Sequence, residues 1–133
     1  MPPLLVTAAI IRNQDKILIT RRPEGSTHAG LWEFPGGKIE NGESPEQGLQ
    51  REIREELGVE SSVDGIFDVV FHRYDWGDVL LLAYHCRLHN HAINHLGVAE
   101  HRWVTAASLS AFTLLPADAP LVGRLQESPA LPG

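Results

Sequence analysis

The chain has 133 residues, with 11 Lys and Arg against 17 Asp and Glu for a formal net charge of −6. Hydrophobic residues at 43% and charged residues at 21% are the proportions of a folded globular domain, which excludes disordered, collagen-like and coiled-coil classes. The acidic balance excludes coating of a nucleic-acid backbone, which needs a basic stripe, so no stable nucleic-acid binding is expected.

Leu4 to Ile11 is apolar and rich in β-branched residues, and Asn13-Gln14-Asp15 forms a polar turn before Lys16 to Thr20 resumes the pattern. This predicts a β-hairpin. Neither this run nor Val79 to Ala83 approaches the roughly 18 apolar residues of a membrane span, and Met1-Pro2-Pro3 lacks a basic, cleavable leader pattern. From Arg21 to Pro35 no period is sustained, and Gly25, Gly30, Pro23 and Pro35 predict a long loop of the kind that carries function.

The best-marked helix runs from Pro45 to Leu57. Ser44 is its N-cap, Pro45 its first residue, Gln47 the partner in a capping box and Gly58 its stop. Leu49, Ile53 and Leu57 form one buried stripe, while Glu52, Glu55 and Glu56 share a different face. Glu52 and Glu56, four residues apart, repel, which calls for a compensating group. Charged faces of this kind are ordinary on solvated helices, and Arg51 and Glu55 make an acceptable ion pair. Three convergent carboxylates also suit a hard divalent cation such as Mg²⁺ that shares its coordination with a phosphate. The glycines of Phe34-Pro35-Gly36-Gly37-Lys38, just upstream, let a backbone approach a ligand closely.

Further along, Val63 to Tyr74 and Val79 to Leu88 predict a second hairpin around Asp75-Trp76-Gly77-Asp78. The single cysteine, Cys86, can close no internal disulfide and suits a reducing cytoplasm. Asn90 to Gly97 reads as irregular, His101 to Val104 as a short strand, Thr105 to Phe112 and Ala119 to Gln126 as short helices, and Ser128 to Gly133 as a frayed tail. His85, His89, His91 and His95 lack a cysteine partner pattern or an H-E-x-x-H motif and are expected to be ordinary surface or strand residues. His28 lies in the long loop, with a phosphate contact and a plain loop role equally open. A single domain over residues 1–133 is expected, as a monomer or homodimer.

Written out, residues 37–59 read GKIENGESPEQGLQREIREELGV. They match the Nudix box, G-x5-E-x7-R-E-U-x-E-E-x-G-U with U a bulky apolar residue, at every fixed position. The chain resembles the MutT branch of the Nudix hydrolases. Thr20-Arg21-Arg22, Leu31 to Lys38, Trp103 and Pro116-Ala117-Asp118-Ala119-Pro120 fall where that branch has counterparts, so the resemblance covers nearly the whole chain. It implies an α/β Nudix fold, an α/β/α sandwich with a mixed sheet, and Mg²⁺-dependent hydrolysis of a nucleoside triphosphate to monophosphate and pyrophosphate, with Mn²⁺ as a substitute.

By the same resemblance, Glu52, Glu55 and Glu56 with the Gly36 carbonyl are expected to be metal ligands, and Arg51 to hold a catalytic glutamate in place, with Glu43 the more distant box glutamate. Arg22 is expected to reach the nucleotide and Lys38 the polyphosphate. One position departs from the branch: a loop glutamate six residues before the tryptophan is here Gly97, and Glu100 is the nearest substitute as a base, with an exposed structural role equally open. Trp32, Phe34, Phe71 and Trp76 offer flat faces for a nucleobase, although for each one alone core packing is the commoner explanation, and Phe71 and Trp76 are the two expected to contact the substrate. Asp118 caps the last helix or reads the base. The branch has asparagine there in the 8-oxoguanine enzyme and aspartate in the CTP pyrophosphohydrolase group, so both oxidised guanine and CTP or 5-methyl-dCTP stand as substrates. A nucleotide-binding module without catalysis is the remaining expectation.

Overall fold

A computed structural model of the chain describes residues 2–127, and the expected frayed tail lies outside the described residues. In chain order the elements are β1 (Leu4–Asn13), β2 (Lys16–Arg21), β3 (Trp32–Glu33), β4 (Gly36–Lys38), α1 (Pro45–Leu57), β5 (Ser61–Tyr74), β6 (Gly77–Leu88), β7 (Glu100–Thr105) and α2 (Ala119–Glu127). A 3₁₀ turn at Ala107–Ala111 stands where the sequence predicts a short helix.

The main sheet has the order β3-β2-β1-β6-β5, with β4 on β1 and β7 on β2. The first predicted hairpin is real but short. β1 and β2 pair only at Arg12 with Ile17 and Asn13 with Lys16, and then diverge. β1 runs parallel to β6 from Leu4/Val79 to Ile11/Cys86, while β2 turns to pair with β7. The reason is visible in burial. Thr7 to Ile11 is buried without alternation, as expected of a strand covered on both faces. Ala8 and Ile10 enter one core with Leu121 and Leu125 of α2, whereas Ala9 and Ile11 enter a second core with Leu49, Ile53 and Leu57 of α1. The sheet therefore lies between the two helices, and the expected α/β/α sandwich holds.

Helix α1 has the predicted boundaries. The Ser44 side chain accepts from Gln47 N–H, the Gln47 side chain accepts from Ser44 N–H, and Gly58 closes the helix in the left-handed region at φ 67°. Each fully buried leucine or isoleucine of its stripe contributes about 1.5–3 kcal/mol. The long loop differs from expectation in one respect. Trp32 and Glu33 form a two-residue strand against Thr20 and Arg21. That register carries Glu33 and Phe34 inward, and Gly36 to Lys38 pairs with β1 directly beside α1. No helix among the described residues is long and apolar enough to cross a membrane.

Candidate functional site

The Gly36-Gly37 stretch sits at the contact between sheet and helix. Gly36 has φ 152°, and a Cβ there would stand 2.1 Å from the Thr7 carbonyl oxygen, so only glycine fits this pairing. At Gly37 a Cβ would come within 2.6 to 2.8 Å of the Glu52 carboxyl group, which therefore lies against bare backbone. Gly36 N–H donates to Glu56 Oε1 at 3.2 Å. The two glycines of β4 and the two glutamates of α1 thus form one cradle where these consecutive elements meet.

The compensation for the repelling glutamates is Arg51 at Glu52 and the Gly36 N–H at Glu56. The Arg51 guanidinium donates to Glu43 at 2.7 Å and 3.2 Å, to Glu52 at 3.0 Å, to Glu55 at 2.6 Å and to the Lys38 carbonyl at 2.9 Å. Glu43 in turn accepts from Glu40 N–H at 2.9 Å, and bonding to Arg51 holds its carboxyl below the usual range. Arg51 thereby fixes the helix face to the strand that precedes it. It does not reach Glu56. Burial, then the neighbouring charges of Glu33 and Glu52, push the Glu56 carboxyl well above its ordinary value, and burial also raises Glu52.

Glu33 belongs to this group and was not singled out in the sequence. It is 8% exposed, bonds Arg22 Nη1 at 3.2 and 3.3 Å, and is pushed up to about 7, chiefly by burial. Its one signal in sequence is an acidic residue flanked by Trp32 and Phe34 within an otherwise apolar stretch. Arg22 is held by the Thr27 carbonyl at 2.6 Å, so the long loop folds back on itself to aim this arginine.

A cavity of ≈470 Å³ opens beside the cradle. Arg22, Glu33, Gly36, Gly37 and Lys38 line it with Asp118, Tyr74, Trp76 and His28, and Leu4, Val6, Val79 and Leu81 add apolar wall. That volume and mixed lining are typical of a small-molecule site. Asp118 is 5% exposed, accepts from Phe34 N–H through Oδ2 at 2.9 Å, and is pushed up to about 7 by burial and by Glu33. Its side chain is thus bonded across 84 positions to the strand edge, and the helix-start bond at this residue, Leu121 N–H to Asp118 O, uses the backbone carbonyl. Lys38 is exposed at the cavity rim.

Two expected site residues lie elsewhere. Phe71 is 54% exposed on β5 with the Arg73 guanidinium 5.6 Å above its ring, and does not line the cavity. Glu100 pairs with Arg21 at 2.8 Å and Arg102 at 3.2 Å, which hold its carboxyl below the usual range, and it too is outside the cavity lining. A carboxylate so held is a weak base. Gly97 N–H and Leu96 N–H both donate to the Glu56 carbonyl, at 3.1 and 3.0 Å, so the loop before β7 caps the carboxylate helix. The histidine pair that the fold does form is His95 with His101, at 2.8 Å on the surface.

Among the described residues no three His, Cys, Asp or Glu side chains already surround one point. Arg51 accounts for this, because it draws Glu52 and Glu55 to itself. The donor set nevertheless fits a hard divalent cation. All available donors are oxygens, Glu52 and Glu56 are partly buried beside like charges, and a cation would offset the burial, and after it the repulsion, that raise both.

Residues 1–125 match the NUDIX domain family. The chain belongs to the Nudix family. It is 41% identical over 127 residues to a CTP pyrophosphohydrolase of Escherichia coli, a match covering 92% of this chain and 90% of that one. It is 32% identical to an 8-oxo-dGTP diphosphatase of the same organism, over 95% of this chain and 98% of the relative. Among solved structures, the E. coli ORF135 protein superposes with a TM-score of 0.82 at 35% identity, covering 96% of this chain and 91% of that one. The MutT protein of Methanosarcina mazei gives 0.84 at 26% identity, covering 95% and 94%. The protein is accordingly a MutT-like Nudix hydrolase, an enzyme of phosphoric anhydrides in nucleotides, from a family that generally uses divalent metal ions.

Proposed function

We propose that this Nudix hydrolase converts a nucleoside triphosphate to its monophosphate and pyrophosphate, and that its substrates are modified nucleotides such as 8-oxo-dGTP. The observation that carries this reading is one cavity that runs from Gly36 and Gly37, the backbone against which Glu52 and Glu56 lie, past Arg22 and Lys38 to the buried Asp118. A chain of net charge −6 repels a polyphosphate unless cations stand between them. Glu52, Glu55 and Glu56, with the Gly36 carbonyl, would hold Mg²⁺, or Mn²⁺ in its place, and the metal would supply charge neutralisation and an activated water. Arg51 orders the glutamates, Arg22 and Lys38 attract the phosphate chain, and Asp118 offers its carboxyl to the base edge. Glu100 as the base is disfavoured by its two arginine partners, while Glu52, half buried and raised, stands at the cradle itself.

A second reading, CTP or 5-methyl-dCTP as substrate, is favoured by aspartate at position 118 and by the 41% identity to a CTP pyrophosphohydrolase. Pyrophosphate release from 8-oxo-dGTP, dGTP, CTP and 5-methyl-dCTP, with Mg²⁺ and with EDTA, ranks the two. Turnover in EDTA, or orthophosphate and a nucleoside diphosphate as first products, would overturn the proposed reaction. A cytoplasmic location, suited to the buried thiol of Cys86, and a monomeric or homodimeric state complete the proposal.

A further inference from the structure

The mouth of the cavity joins elements far apart in the chain through one tyrosine. Tyr74 ends β5, and its ring stacks on Trp76 at the hairpin tip with centroids 5.2 Å apart and planes 9° from parallel. His28, from the long loop, lies 6.0 Å from the same ring. The packing of these rings needs no oxygen. The Tyr74 hydroxyl nevertheless accepts the Ala117 N–H at 3.1 Å, across 43 positions of sequence.

Ala117 is the residue before Asp118, and both are buried. Asp118 is then held on each flank. Phe34 N–H holds Oδ2, Leu115 O accepts its backbone N–H at 3.0 Å, and Tyr74 fixes the preceding amide. Among the described residues nothing bonds to Oδ1, which leaves one oxygen for whatever fills the cavity. Discrimination by a buried hydrogen bond depends on placing that acceptor to within a few tenths of an ångström, because a misplaced partner leaves polar groups unpaired. Trp76 remains 63% exposed despite its stack, a large apolar ring presented at the mouth.

We propose that Tyr74 is a positioning residue for base selection. Its hydroxyl locks the Ala117-Asp118 amides to the hairpin tip, so that stacking of a nucleobase against Trp76 and reading of its polar edge by Asp118 occur as one coupled event. The inference rests on the reading of this cavity as a nucleotide site. Tyr74 forms no hydrogen bond to the glutamate cradle, so it acts on binding and discrimination and leaves the chemical step alone.

The test uses Tyr74→Phe, which removes only the oxygen, and titrates CMP, 8-oxo-dGMP, dGMP and AMP calorimetrically in Mg²⁺, so that binding is read without turnover. The tightest monophosphate should weaken by about five- to tenfold and its margin over the weakest should narrow, with kcat at saturating triphosphate within about twofold of wild type. In an Asp118→Ala background, adding Tyr74→Phe should change binding by less than about twofold, because the residue it positions is gone. Unchanged binding, an equal loss for all four monophosphates, or losses that multiply in the double variant would each overturn the proposal. Wild-type binding without hydrolysis of any triphosphate would remove the hydrolase reading and leave Tyr74 in its role, whereas hydrolysis with Tyr74→Phe indistinguishable from wild type would do the reverse. Failure of the wild type to bind any of the four would overturn both.

Discussion

Glu56 and Glu52 carry the same charge on the same helix face, yet the protein treats them differently. Arg51 neutralises Glu52 and Glu55, whereas Glu56 has only the Gly36 N–H and is raised well above its usual value by burial. Glu56→Gln keeps the shape and the ability to accept that hydrogen bond while deleting the charge. Activity should fall by at least about a hundredfold, since metal-assisted catalysis supplies several kcal/mol. The unfolding midpoint in EDTA at alkaline pH should hold or rise, because there the wild-type carboxyl either ionises as an unpaired buried charge or must keep a proton against the solution, and each is a cost to folding. Loss of activity together with a large drop in midpoint would mean that the carboxylate is structural. Asp118→Ala addresses the other end of the cavity: kcat/KM for the preferred nucleotide should fall by roughly ten- to a hundredfold with metal dependence intact. If nucleotide ranking is unchanged and only thermal stability falls, Asp118 holds Phe34 and reads nothing. At this scale the box residues were legible because their meaning lies in fixed local spacing. Glu33 and Tyr74 were not, because what distinguishes them is a partner 11 or 43 positions away and a place in a cavity that only the folded chain has.

Helix α1 was the most legible element, and the reason is physical. Its start, its stop and its buried stripe are set by residues within a turn of each boundary. Ser44→Ala should therefore cost about 1 kcal/mol of stability, seen as a lower midpoint of chemical unfolding with an unchanged denaturant slope, and kcat should stay within about twofold. A fall in activity disproportionate to the fall in stability would show that the cap also sets the position of the glutamates. The β-strands were located but their partners were not. β1 reads as half of a hairpin with β2, and its long partner is in fact β6, parallel and about 75 positions later. Nothing local encodes such a pairing. The one hint is the unbroken apolar run Ala8 to Ile11, which needs cover on both faces and so excludes a strand at the edge of the sheet. The two-residue β3 is too short to carry a period at all, and its position follows from pairing with Thr20 and Arg21.

The whole molecule concentrates buried acid on one side of a chain that is already acidic, which gives its stability a pH dependence of unusual sign. Glu33 and Asp118 are pushed up to about 7, and Glu56 is raised well above the ordinary carboxylate range, in each case first by burial. Between about pH 4, where carboxylates ionise in the unfolded chain, and about pH 7, the folded protein retains protons that the unfolded chain has released. Stability from these groups is complete below the unfolded values and is lost as pH rises through the folded ones. The metal-free protein should therefore melt several degrees lower at pH 8 than at pH 5, on the order of 2 kcal/mol for a buried carboxyl shifted this far. Glu43, Glu60 and Glu100, each held below the usual range by arginine, act in the opposite sense only below about pH 4.5. His85 and His101, both lowered first by burial, oppose the trend within the interval from 5 to 8, so the predicted fall is the excess of the buried carboxyls over these two partly exposed imidazoles. Mg²⁺ should reverse the trend. It binds the ionised glutamates, so its stabilisation grows as they deprotonate, and the rise in melting temperature at 10 mM Mg²⁺, about the scale needed to saturate a millimolar site, should be larger at pH 8 than at pH 5. Thermal unfolding at the two pH values, in EDTA and in Mg²⁺, measures all four corners of this cycle. A melting temperature in EDTA that rises from pH 5 to pH 8 would mean that the buried carboxyls are ionised in the folded protein, and the cradle would then be a structural ion network with no reserved place for a metal.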